Sequence, residues 1–175
     1  MAFDIYRASE NNRARFVLGK SGSSPIIVVG LNPSIATREK SDLTATKIER
    51  ISKTNGFDGF VIVNLYPQRS TDPANLHKRC SKTLIDSNLI EIESVFRAQR
   101  KLTVWAAWGT GILARRYLLT SFVALNDLLI QFKGQWWHYG ERTADGHPRH
   151  PSRVSYNKRF TKFDSARYAL QLNQS

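Results

Sequence analysis

The sequence predicts a single α/β domain in three layers, with helices on both faces of a mostly parallel sheet of about four strands. Three observations predict it. Ile26-Ile27-Val28-Val29 is an unbroken β-branched run, the pattern of a strand buried on both faces. Three more apolar segments, Phe60–Val63, Leu102–Ala107 and Gln135–Tyr139, recur down the chain. The stretches between them carry apolar residues near helical spacing, and helices alternating with strands give a parallel sheet covered on both sides.

Taken in order, residues 1–25 are a polar and basic lead-in with one short strand at Ala14–Leu18. Ser21-Gly22-Ser23-Ser24-Pro25 is the loop into the first core strand, which Gly30 ends. A helix follows to about Thr54. Asp42-x-Thr44 reads as its start or as a carboxylate near the site, and Thr46 with Glu49 has capping-box spacing. Asn55-Gly56 closes the helix, and Phe57-Asp58-Gly59 leads to the second strand. A loop with two prolines, Leu65–Pro73, precedes one long helix over 74–100, or two broken near Ser87-Asn88; Cys80 falls on its apolar stripe as a core residue. The third strand ends in Trp108-Gly109-Thr110-Gly111. That motif lacks both the P-loop lysine and the dinucleotide glycine pattern, and reads as a plain turn into a helix over 112–131. Trp136 and Trp137 of the fourth strand are assigned to core and rim. A charged loop, 140–146, and the segment His147–Ser155 lead to a closing amphipathic helix over 158–172.

The chain has 175 residues, one domain's worth, and four Trp, six Tyr and nine Phe supply a core. Twenty-six Lys and Arg against fourteen Asp and Glu leave a net charge of +12, which points to a polyanion, in the first instance nucleic acid. One cysteine excludes an intramolecular disulfide and a cysteine-rich metal site, and the four histidines lack metal-ligand spacing, so neither metal nor cofactor is expected. No apolar run approaches the ~20 residues of a membrane span. Met1-Ala2-Phe3-Asp4 does not open like a secretory leader, and a cytoplasmic monomer is the expectation.

The polar motifs follow the strands. Gly30-Leu31-Asn32-Pro33-Ser34 sets an amide at the end of the first strand, and Asn64 sets a second directly after Phe60–Val63. In open α/β sheets ligands bind beyond the carboxyl ends of the strands. A buried amide there must find partners, and its donor pair and acceptor match a nucleobase edge. His150-Pro151-Ser152 is stiffened by proline and sits beside Arg149, Arg153, Lys158 and Arg159, which suits a histidine that faces an anion.

In this order, Gly30-Leu-Asn-Pro-Ser34, Asp42-x-Thr44, Gly56-Phe57, Val63-Asn64-Leu65 with Arg69-Ser-Thr-Asp72-Pro73, Trp108-Gly109 and Pro148-Arg149-His150-Pro151 resemble the bacterial and phage family known as domain of unknown function 1643. The resemblance covers roughly residues 10–155. A more distant one is to uracil-DNA glycosylases, whose strands end in Gly-x-Asp/Asn-Pro, Asn and Trp-Gly before a His-Pro-Ser-x-x-Ser loop; here these read Gly30-x-Asn32-Pro33, Asn64, Trp108-Gly109 and His150-Pro151-Ser152-Arg153-Val154-Ser155.

That similarity implies a uracil-DNA-glycosylase-like fold and a DNA glycosylase that flips a nucleotide into a pocket. It implies that Asn64 binds a pyrimidine edge with Pro33 and Ser34 beside it. Neutral His150 would donate to the base oxygen that gains charge, and Asn32 would place the attacking water. Ser152 would take a phosphate, Arg149, Arg153 and Lys158 would add affinity for double- or single-stranded DNA, and Val154 would wedge into the duplex. Asn32 stands where the efficient uracil enzymes carry Asp, and Ser34 where they carry a thymine-excluding aromatic. The alternative reading is a non-catalytic nucleic-acid or nucleobase-binding module of the same fold.

Overall fold

The four apolar runs form four adjacent parallel strands, and the chain adds three more outside them. In the computed structural model, which describes residues 2–172, the strands are β1 (Ile5–Ala8), β2 (Arg15–Lys20), β3 (Pro25–Gly30), β4 (Gly59–Asn64), β5 (Thr103–Ala106), β6 (Gln135–Tyr139) and β7 (Phe160–Lys162). They make one sheet in the order β1-β2-β4-β3-β5-β6-β7. The central four are parallel, whereas β2 runs antiparallel to β4, and β7 to β6. The sheet therefore has seven strands rather than about four. Of the extra strands, β2 is the one expected at Ala14–Leu18 and lies inside the sheet, whereas β1 and β7 are the short, more exposed strands at its two edges.

Four helices complete the fold, α1 (Leu43–Thr54), α2 (Lys82–Arg97), α3 (Arg116–Gln131) and α4 (Ser165–Leu172). Alternation along the strands splits the core into two layers. Ile26 and Val28 of β3 and Phe60 and Ile62 of β4 pack with Ala45, Ile48 and Ile51 of α1. Ile27, Val29, Val61 and Val63 pack on the other face with Ile92 and Phe96 of α2, Phe122 and Leu125 of α3, and Tyr168 of α4. Among the described residues no helix is long and apolar enough to cross a membrane.

Several local expectations change. The α1 cap is Asp42, which accepts from the Ala45 amide at 2.8 Å, so Thr46 lies inside the helix and no capping box forms there. The 74–100 segment is a short 3-10 turn, an irregular stretch, then α2 capped by Ser81. Cys80 lies in that stretch and is exposed, not core. Asn88 does not break α2; it is buried, and its Nδ2 donates to the Asn64 carbonyl at 2.8 Å. A 3-10 turn over Gly109–Ala114 precedes α3. The closing helix begins at Ser165 after Asp164, whose carboxylate accepts from the Arg167 amide; residues 160–162 pair instead with β6.

Candidate functional site

The chain passes from β3 to β4 on one side, then crosses under the sheet to β5 on the other. Strand order reverses there, and the carboxyl ends diverge into a crevice. Asn32, Asn64 and His150 all line a recess of about 50 Å³ in it, on the α1 side of the sheet. The recess opens, past Leu31, Asn32, Ser34, Thr44 and His150, onto a groove of about 640 Å³. A cavity of about 150 Å³ holds benzene, so an aromatic ring in the recess extends into the groove.

Asn64 ends β4 and is 2% exposed, yet its Nδ2 has no hydrogen-bond partner. A buried amide left unpaired costs about 1–3 kcal/mol, which a ligand acceptor recovers. A Cβ at Gly30, the neighbouring β3 residue, would lie 2.7 Å from Asn64 Oδ1, so glycine is required for this close approach.

Asn32 is anchored by its nitrogen. Nδ2 donates to the Ser70 carbonyl at 2.7 Å and to the Pro33 carbonyl at 3.0 Å. This leaves Oδ1 as an acceptor with no donor among the described residues. Pro33 is buried outside the recess lining, and its carbonyl also accepts from the Ser70 amide at 2.8 Å. Ser34 lines both recess and groove, its carbonyl held by Arg69 Nη1 at 2.7 Å.

His150 caps the 3-10 turn Pro151–Arg153, and the Ser152 amide donates to its Nδ1 at 3.3 Å. Ser152 Oγ lies 2.8 Å from the same atom. With Nδ1 accepting, the neutral ring carries its proton on Nε2. Burial lowers the His150 pKa below the ordinary histidine value; Asp42 opposes this, and Arg153 and Lys47 reinforce it. The Ser152 hydroxyl thus orients His150, while remaining at the exposed rim.

The other basic residues divide. Arg149 and Arg153 flank the groove with Ser152, and Arg149 Nε donates to the Glu141 carbonyl at 3.0 Å. Lys158 lies behind them, 3.4 Å from a Glu141 carboxylate oxygen. Lys47 and Arg50 of α1 sit over the Tyr156 ring at 5.3 and 4.3 Å. Val154 is 6% exposed and packs in the core beneath α1, so its side chain is not placed as a wedge.

Two residues of the recess escaped the sequence reading or were left open by it. Asp42 both caps α1 and lines the recess, as its only carboxylate. Arg15, the first residue of β2, lines it as well and is 4% exposed. Its single signal in the sequence is an arginine opening a basic strand. Among the described residues no Phe, Tyr or Trp lines the recess; its apolar walls include Val28, Leu31, Ile48 and Ile62. Among the described residues no cluster of three His, Cys, Asp or Glu is arranged to hold a metal ion.

The histidines make stability depend on pH. Burial lowers the pKa of His138, His147 and His150. A histidine held neutral contributes stability that is complete above its unfolded value, about 6.5, and lost as pH falls from there toward the folded value. The depressed Asp4 and Asp58 carboxyls act in a separate window, below 3.8. Urea midpoints should therefore fall between pH 7.5 and 5; a flat profile over that range would contradict the neutral histidines.

A family model described as protein of unknown function (DUF1643) matches residues 15–152. No curated protein matches the chain.

Proposed function

The chain belongs to the DUF1643 family, and from its recess we propose a DNA glycosylase that hydrolyses the N-glycosidic bond of uracil or of a modified or mismatched pyrimidine. One observation carries the reading. The buried, unpartnered Nδ2 of Asn64 shares a recess with a neutral, Nε2-protonated His150 and an Asn32 whose oxygen is free.

In this mechanism the nucleotide leaves the stack and enters through the groove. Asn64 donates to a carbonyl oxygen of the pyrimidine. As the C–N bond breaks, its electrons pass to the base, and His150 Nε2–H stabilises the oxygen that gains charge. Water held by Asn32 Oδ1 adds to the sugar carbon and loses a proton to solvent. An amide cannot take that proton in the transition state, so bond breaking runs ahead of water attack and the sugar becomes oxocarbenium-like. Asp42 is the carboxylate of the recess that counters this positive charge. Arg149 and Arg153 supply a salt-sensitive attraction to phosphates along the groove.

A second reading is a nucleic-acid or nucleobase-binding module without turnover. The aliphatic walls of the recess favour it, because no Phe, Tyr or Trp there stacks on the base. End-labelled oligonucleotides separate the two. Each carries one uracil, thymine opposite guanine, 5-hydroxymethyluracil, or plain or glucosylated 5-hydroxymethylcytosine, in single- and double-stranded form. The glycosylase yields alkali-dependent breaks at one of these bases. Salt-sensitive binding with no break at any of them moves the assignment to the module.

A further inference from the structure

Arg15 is buried without a direct ion-pair partner among the described residues. Its Nη1 donates to the Ala36 carbonyl at 2.9 Å, its Nε is buried with no partner, and Nη2 makes no hydrogen bond with the described residues. It takes part in none of the ion pairs found among them. Its neighbour Arg69 is also a cation, and donates to the same Ala36 carbonyl at 3.0 Å. Burial and Arg69 pull the Arg15 pKa down to about 10 despite Asp42, so the group remains charged at neutral pH. A buried charge of this kind is costly until an anion with matching geometry meets it.

The unpaired edge of the guanidinium has the right shape for one. Nε and Nη2 are adjacent and parallel N–H donors, the fork that takes a carboxylate in two hydrogen bonds. Its place in the fold is equally specific. Along the sheet edge the recess residues run in strand order: Arg15 on β2, Asn64 on β4, Gly30 on β3, then Ala107 after β5. Arg15 thus stands on the far side of Asn64 from β5.

We propose that Arg15 is a specificity residue that binds a carboxylate borne by the pyrimidine in the recess. The assignment rests on the recess being a base pocket. The backbone phosphates of the same substrate remain in the groove, with Arg149 and Arg153, while the small recess takes the planar anion.

The test is calorimetric titration of the wild-type protein with free uracil, 5-carboxyuracil, 6-carboxyuracil and acetate. One of the carboxylated bases should bind about tenfold or more tightly than uracil, as expected for a hydrogen-bonded charge pair. Arg15→Gln and Arg15→Lys, each checked for folding by circular dichroism, should reduce or erase that preference while leaving uracil affinity near the wild-type value. Equal affinity for uracil and both carboxylated bases overturns the assignment, as does no binding of any base. Acetate binding as tightly as the carboxylated bases overturns it too, since the anion is then not carried by a base. A preference that survives in Arg15→Gln also overturns it. Base release is scored separately on oligonucleotides carrying the same bases. Release of uracil without a carboxylate preference removes the role of Arg15 and leaves the glycosylase. Tight binding of a carboxylated base, with no release of any base, removes the glycosylase and leaves Arg15.

Discussion

For the proposed glycosylase, His150→Ala is expected to lower the single-turnover rate of base release by about 10²–10³-fold, the loss typical of one donor aimed at developing negative charge. Affinity for the duplex changes little, because phosphate contacts along the groove supply most of it. The asymmetry follows from position. His150 lines the recess as well as the groove, and its proton is directed to Nε2 by the Ser152 amide on Nδ1. Asn64→Ala has a related effect, since it removes the amide that lacks any protein partner. Both are measured with saturating enzyme on the oligonucleotide that wild type cleaves, together with binding by fluorescence anisotropy. A His150→Ala protein that releases base at the wild-type rate would end the assigned role.

Trp108→Ala costs about 3–5 kcal/mol of folding stability, the range for truncating a large buried aromatic. Trp108 is 2% exposed at the end of β5, with Phe122, Trp136, Phe163 and Tyr168 around it at ring distances of 5.2 to 6.0 Å. Its Nε1 donates to the Tyr168 hydroxyl at 3.1 Å, and that hydroxyl lies 2.8 Å from His147 Nδ1. Burial raises the Tyr168 pKa to about 12, against the Trp108 hydrogen bond, so the phenol stays protonated in its hydrogen bond with His147 Nδ1. Truncation opens a cavity and leaves this buried chain of polar groups with one donor fewer. Urea unfolding at pH 7.5 measures the loss. A cost below about 1 kcal/mol would mean that the aromatic cluster does not hold α3 and α4 to the sheet as described. Gly109 follows directly, with φ of 68° and an ideal Cβ position 3.4 Å from His150 Cβ, so loosening Trp108 also loosens the His150 segment.

How much of the site was legible depends on how local its signals are. Asn32, Asn64 and His150 were found because each directly follows an apolar run or a rigid proline segment. Trp108 marked the end of the third strand for the same reason. Asp42 was legible as a helix start but not as a wall of the recess, which needs α1 to be docked on the sheet. Cys80 and the 160–162 segment were misread because apolar spacing near 3.6 also arises by chance in short polar stretches. Ser81 and Asp164, the real caps, set the helix starts instead. Val154 occupied the wedge position in the motif, but the turn at Pro151 directs it inward.

The sequence by itself determined the four parallel strands, the two-faced core, two amides at strand ends and a histidine in a proline-stiffened loop. Those features are written in contiguous runs, and burial on both faces leaves a continuous apolar signature. The strand expected at Ala14–Leu18 is β2, but tertiary structure alone decided β1, β7, the pairing of β2 with the sheet and the presence of Arg15 in the recess. An antiparallel strand begins at the edge where its parallel neighbours finish, so β2 delivers its first side chain to the carboxyl ends of β4 and β3. No local pattern around Arg15 encodes that meeting, because it is set by which strands pair and in which direction.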